Sequence, residues 1–156
     1  MIRITLALLI AAIVTGCASV INDVTHPMKV ETKTDSGDLV AGADCKLTND
    51  YGVFSVKSGE TLQVRRSSKD LDIVCKDSSN PDAIATVISR ANGAMFGNII
   101  LGGGIGAIID HNKGTAYSYP LWVRLIFGKT LIFDRRVEKE GQPTVGAEPV
   151  AAKSPS

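Results

Sequence analysis

Three cysteines, two histidines and one glycine-rich run are the residues whose types and spacing could do chemistry in this chain of 156 residues. Cys45 and Cys75 lie in the alternating stretches "DCKLTN" and "LDIVCKD". Such a pair in an exported chain forms a disulfide joining two strands. Closing a loop of about 30 residues contributes on the order of 3 kcal/mol. No metal is expected, because His26 and His111 are far apart and neither has ligand-like spacing to a cysteine. Asp110-His111 is the one acid–histidine neighbour pair, but adjacent residues orient each other poorly and no G-x-S-x-G elbow is present. No catalytic residue is therefore expected. The run "IILGGGIGA" fits G-x-G-x-x-A from Gly102 through Gly104 to Ala107, the pattern of a pyrophosphate loop. That chemistry needs a helix starting at the loop, and here only Ile108 and Ile109 precede the turn signal "DHNKG". No nucleotide and no cofactor are expected.

Cys17 has a different setting. The chain opens "MIRITLALLIAAIVTGCASV", in which Arg3 precedes an apolar run from Ile4 to Val14 and two small residues. A charged start, a short apolar core and a small-residue exit make a secretory signal, too short for a stop-transfer helix. Val14-Thr15-Gly16-Cys17 resembles the bacterial lipobox. The resemblance implies diacylglyceryl transfer to the Cys17 thiol, cleavage before it and acylation of the new amino group. Two or three chains hold a protein at a membrane durably where one holds it marginally. Ala18, rather than aspartate, follows Cys17. By the sorting pattern of enteric-type lipoproteins that implies the outer membrane, facing the periplasm, over the inner membrane.

The mature chain is long enough for one modest core. Of 17 basic residues Arg3 goes with the signal, leaving 16 against 16 acidic ones, a net charge near zero. Nothing in that balance draws in nucleic acid. The pairs Arg65-Arg66 and Arg135-Arg136 read as solvated strand ends or turn rims, and His26, beside Pro27, as an exposed tether residue.

The elements that must position these groups are short strands. "MKVETKT", "CKLTN", "YGVFSVK", "TLQVRR", "LDIVCKD" and "AIATVISR" alternate with period two, each ended by turn residues. "LWVRLIF" and "TLIFDRR" read as a hairpin about Gly128-Lys129, with Trp122 on it. Tyr117 and Tyr119 read as core filling. The fold class expected is mainly β (α+β), a small antiparallel β-sandwich or barrel stapled by one disulfide, with a glycine-rich helical segment at about 93–110. The organisation is a signal at 1–16, a tether at 17–27, a β-rich domain at 28–137 and a disordered tail at 138–156.

Six glycines lie between Gly93 and Gly106. As a helix the uncharged run from Gly93 to Ile109 reaches about 25 Å, short of a bilayer core of about 30 Å. Gly93 and Gly97, and Gly102 and Gly106, recur every four residues and share a helical face, which lets another backbone approach closely. Ile99, Ile100, Ile105 and Ile109 are left for burial on the other face. The segment resembles the glycine-zipper stretches of Gram-negative envelope lipoproteins. In order, Cys17, the pair Cys45 and Cys75, "FGNIILGGGIGAIID" and "GTAYSYP" resemble a group of small proteobacterial lipoproteins. No reaction attaches to that group. The first reading is a lipid-anchored envelope protein with a structural or interaction role and no catalysis, its glycine face and apolar hairpin meeting an envelope protein or its own copy through candidate interface residues Ile105 and Trp122. The other reading is a periplasmic binding or inhibitor module, such as a cell-wall hydrolase inhibitor or an immunity-type lipoprotein.

Overall fold

The computed structural model describes residues 24–91 and 116–149. The expectations for Cys17, for Gly93, Gly97, Gly102, Gly106 and Ile105, and for a helix at 93–110 lie outside the described residues. Within them the chain is mainly β. Its elements are β1 (Thr25–Lys33), β2 (Leu39–Val40), β3 (Asp44–Asn49), β4 (Gly52–Lys57), β5 (Thr61–Arg65), β6 (Leu71–Lys76), β7 (Ala83–Val87), β8 (Arg90–Ala91), β9 (Tyr117–Ser118), β10 (Trp122–Ile126) and β11 (Thr130–Phe133). One 3-10 turn follows at Arg135–Val137.

The strands form two main sheets. In one, β1 pairs with β10 on one side and with β2 and β5 on the other; the second has the order β11-β7-β6-β3-β4. Alternate residues of both point into one shared core. Met28, Val30, Val64, Val123 and Leu125 come from the first sheet, and Leu47, Leu71, Ile73, Val87, Leu131 and Phe133 from the second. Each such side chain contributes about 1.5–3 kcal/mol on full burial. Cys45 of β3 stands directly opposite Cys75 of β6, and the two are joined by a disulfide inside this core.

The pairing is mixed, where the alternation suggests antiparallel strands throughout. β1 with β10, and β7 with β11, run parallel. "LWVRLIF" and "TLIFDRR" are consecutive strands but no hairpin, since β10 lies in the first sheet and β11 in the second. The reason is burial. β10 carries Val123 and Leu125 inward and β11 carries Leu131 and Phe133, so each stripe faces the core from its own side. Between them Phe127 is also buried, and Gly128 (φ 79°) turns the chain in a conformation that favours glycine. The junction is tied to both layers: the Phe127 N–H donates to Lys33 at 2.9 Å and the Gly128 N–H to Asp82 at 3.2 Å. The described strands close no barrel among themselves.

Two boundaries differ from the sequence reading. Thr25, His26 and Pro27 belong to β1 and pair with β5, rather than to a tether ending at 27. The segment 138–149, expected as part of a disordered tail, lies along the outer edges of both sheets. Thr144 bridges to Val123 of β10, and Ala147 to Ile132 of β11. Edge strands carry unpaired backbone groups, and these bridges satisfy some of them without an apolar side-chain pattern. Gly146 makes the approach possible, for a Cβ there would lie 2.9 Å from the Phe133 ring and 3.1 Å from the Leu131 Cβ. Gly146→Ala is expected to lift this segment and lower stability by about 1–3 kcal/mol. Faster amide exchange at Ile132 and Ala147 in the variant checks this, and unchanged protection there counts against it.

Candidate functional site

The described residues around the glycine run form a neck. β8 and β9 pair antiparallel, Arg90 opposite Ser118 and Ala91 opposite Tyr117, so the residues on either side of the glycine run lie side by side. Two arginines hold the neck to the sheets. Arg90 donates to Asp134 through Nη2 at 2.6 Å and Nε at 3.1 Å. That hydrogen bond, more than any other influence, holds the Asp134 carboxyl below the usual carboxylate range. Arg66 donates to the Tyr117 carbonyl at 3.1 Å, to the Ser118 hydroxyl at 2.6 Å and to the Thr25 carbonyl at 3.0 Å. Its backbone N–H also donates to Val24. One guanidinium thus joins the start of β1 to the return of the glycine run.

Beneath the neck the polar groups are deeply set. Tyr119 is fully buried, and its hydroxyl donates to the Lys69 carbonyl at 2.7 Å. Burial chiefly raises its pKa. The aromatic core filling expected here is met by Tyr119, while Tyr117 is only half-buried on the neck. His26 was read as exposed and is 3% exposed. Burial, with the nearby charges of Arg66 and Arg135, lowers its pKa to about 4 against weaker pulls from the carbonyls of Pro120 and Tyr119. Its Nε2 has no hydrogen-bond partner among the described residues. The sequence signal was present: His26 is in phase with Met28 and Val30, and the period-two stripe run two residues back puts it inside.

Trp122 sits on the outer face of the first sheet and is engaged within the chain. The Lys29 ammonium lies 4.3 Å from the ring centroid and the Arg124 guanidinium 5.6 Å. Both cations also meet Glu31, at 2.7 Å each. Burial pushes the Glu31 carboxyl up, but hydrogen bonds from Lys29 and Arg124 outweigh it and hold it below its usual range. The neighbouring Leu121 is the freer apolar side chain, 48% exposed. On the flank of the neck an open apolar hollow of about 420 Å³ lies between Ile88, Ile132, Val137 and Val145.

No group of three or more His, Cys, Asp or Glu side chains among the described residues is placed to hold a metal ion. Asp72 accepts from Thr86, and Asp77 closes the turn at Ser79 and Asn80, so these acids serve local structure. The described residues thus give a stapled β domain with a paired neck on either side of the glycine-rich sequence. Compared with family models, with curated proteins and with solved structures, the chain matches none.

Proposed function

We propose that this protein is a lipid-anchored lipoprotein of the cell envelope, held by acylated Cys17 at the outer membrane and facing the periplasm. Its role is structural or interactive, and not catalytic. The β-sandwich serves as a rigid mount, and residues 92–115 are its contact element toward an envelope protein or a second copy. The observation that supports this most is the neck. Its two strands enter and leave side by side, so the glycine-rich run is presented by the domain without any described strand depending on it. Glycines at four-residue spacing then give a partner backbone close access.

Photo-crosslinking in native membranes tests this, with the probe at Ile105 and, separately, at Leu121. Adducts to another envelope protein or to a second copy at Ile105 are the expected result. Intramolecular links alone at both sites would sink the assembly reading.

A further inference from the structure

Arg65-Arg66 and Arg135-Arg136 are far apart in sequence, yet both pairs arrive at one end of the domain. Arg66 and Arg135 both act on His26 through their charge. Arg90 joins them, since its partner Asp134 also accepts from the Arg136 backbone N–H at 3.0 Å. Arg65 places its guanidinium 4.2 Å from the ring of Tyr51, which is itself exposed, and Lys69 stands on the adjoining loop. Of the acids at this end Asp134 is paired with Arg90, while Asp50 accepts from Ser67 and Asp70 from the Ser89 N–H, both keeping their charge. Arg135 meets Glu138 at 3.3 Å, and Glu140 and Lys139 follow on the flank. Arg65, Lys69 and Arg136 are exposed, with no carboxylate in ion-pair distance among the described residues. The loops at the opposite end are acidic on balance, with Asp35, Asp38, Asp44, Glu60, Asp77, Asp82 and Glu148 against Lys33, Lys57, Lys76 and Lys129. A net charge near zero therefore conceals an axial separation of charge.

The arginine-rich end is also where the chain enters. Val24 is held there by the Arg66 N–H, and only seven positions separate it from Cys17. Fully extended, that length spans at most about 25 Å. We infer that this end is a membrane-docking face, binding the anionic phosphate headgroups of the bilayer that carries the anchor. The inference rests on the lipid-anchor reading. Guanidinium forks match phosphate oxygens, and their attraction to an anionic surface acts within about a Debye length, 8–10 Å at moderate salt. Tyr51 and the exposed Val24 supply the amphipathic rim suited to the headgroup layer. Docked this way, the acidic loops face outward and the neck of β8 and β9 lies on the membrane side, so the partner that residues 92–115 would meet is one at the bilayer.

The test is flotation of the full mature chain carrying Cys17→Ser, so that no acyl chain contributes, with vesicles of phosphatidylethanolamine and phosphatidylglycerol. Vesicles of neutral lipid alone are the comparison. The expected result is binding to the anionic vesicles that disappears at high salt and falls at least tenfold in Arg65→Glu/Arg136→Glu, while Lys57→Glu/Lys76→Glu at the far end binds as the parent does. Thermal melts of both double variants establish that they are folded. Equal binding to neutral vesicles, equal loss from both variants, or no binding overturns the docking face. Tighter, equally arginine-dependent capture of a soluble polyanion such as heparin overturns the lipid as partner. Metabolic palmitate labelling of the unaltered chain reports separately on Cys17, so a failed anchor is distinguishable from a failed face.

Discussion

Cys45→Ala/Cys75→Ala is expected to lower the unfolding free energy by about 3–4 kcal/mol. The bond links residues 30 positions apart, and its removal restores that loop's freedom to the unfolded chain. Both cysteines also lie in the core, so the variant loses packed sulfur atoms as well. For a domain of this size the midpoint of thermal unfolding should fall by roughly 15–25 °C. Melting the oxidised protein, the reduced protein and the double variant side by side checks this. A drop of only a few degrees would mean that the pairing of β3 with β6 holds without its covalent link.

His26→Gln is expected to remove a marked loss of stability on mild acidification. The parent His26 has its pKa lowered to about 4 when folded, against 6.5 when unfolded. Above pH 6.5 both states are neutral and the group contributes no pH dependence. As pH falls from 6.5 toward 4, the unfolded chain takes up a proton that the folded chain refuses, so stability drops. The loss reaches about 2 kcal/mol at pH 5 and about 3 kcal/mol near pH 4. The lowered carboxyl groups Glu31 and Asp134 lose their contributions only below their ordinary values near 4, so the window from 6.5 to 5 belongs to His26. Glutamine is polar and close to histidine in size, and it carries no titrating group. Urea midpoints measured from pH 7 to pH 5 should fall steeply for the parent and stay level for the variant. Parallel curves would place His26 in contact with water.

Local pattern carried much of the fold into view. Strands whose alternation is clean, such as "CKLTN", "YGVFSVK" and "LDIVCKD", stand within a residue of β3, β4 and β6. Period two reports which residues face inward, and that is a property of one strand. It does not report which strand lies alongside, and so the parallel pairs and the division of β10 from β11 between sheets were not legible. The order of segment 138–149 was hidden for a related reason: its bonds are backbone bonds, from Thr144 and Ala147, and they leave no apolar rhythm in the sequence. The burial of His26 is masked in the sequence by Pro27, which reads as the end of a tether although it lies in β1 itself and pairs across to Gln63 of β5. The convergence of the arginine pairs is a matter of topology, and no spacing along the chain announces it.

The parallel pairing of β1 with β10 also sets an order of events. Glu31 and Arg124, partners in that pairing, are 93 positions apart. A contact closed over so long a stretch forms late, because the entropy of closing the loop must be met before the contact contributes. The antiparallel units of β3, β4 and β6 lie close together in sequence, and Cys45 and Cys75 face each other as soon as β3 and β6 pair. The first strand meets β2 and β5 early but waits for β10, the next to last. In that interval β3, β4, β6 and β7 can pair and the two cysteines close, so the covalent staple is in place before β1 has gained its parallel neighbour.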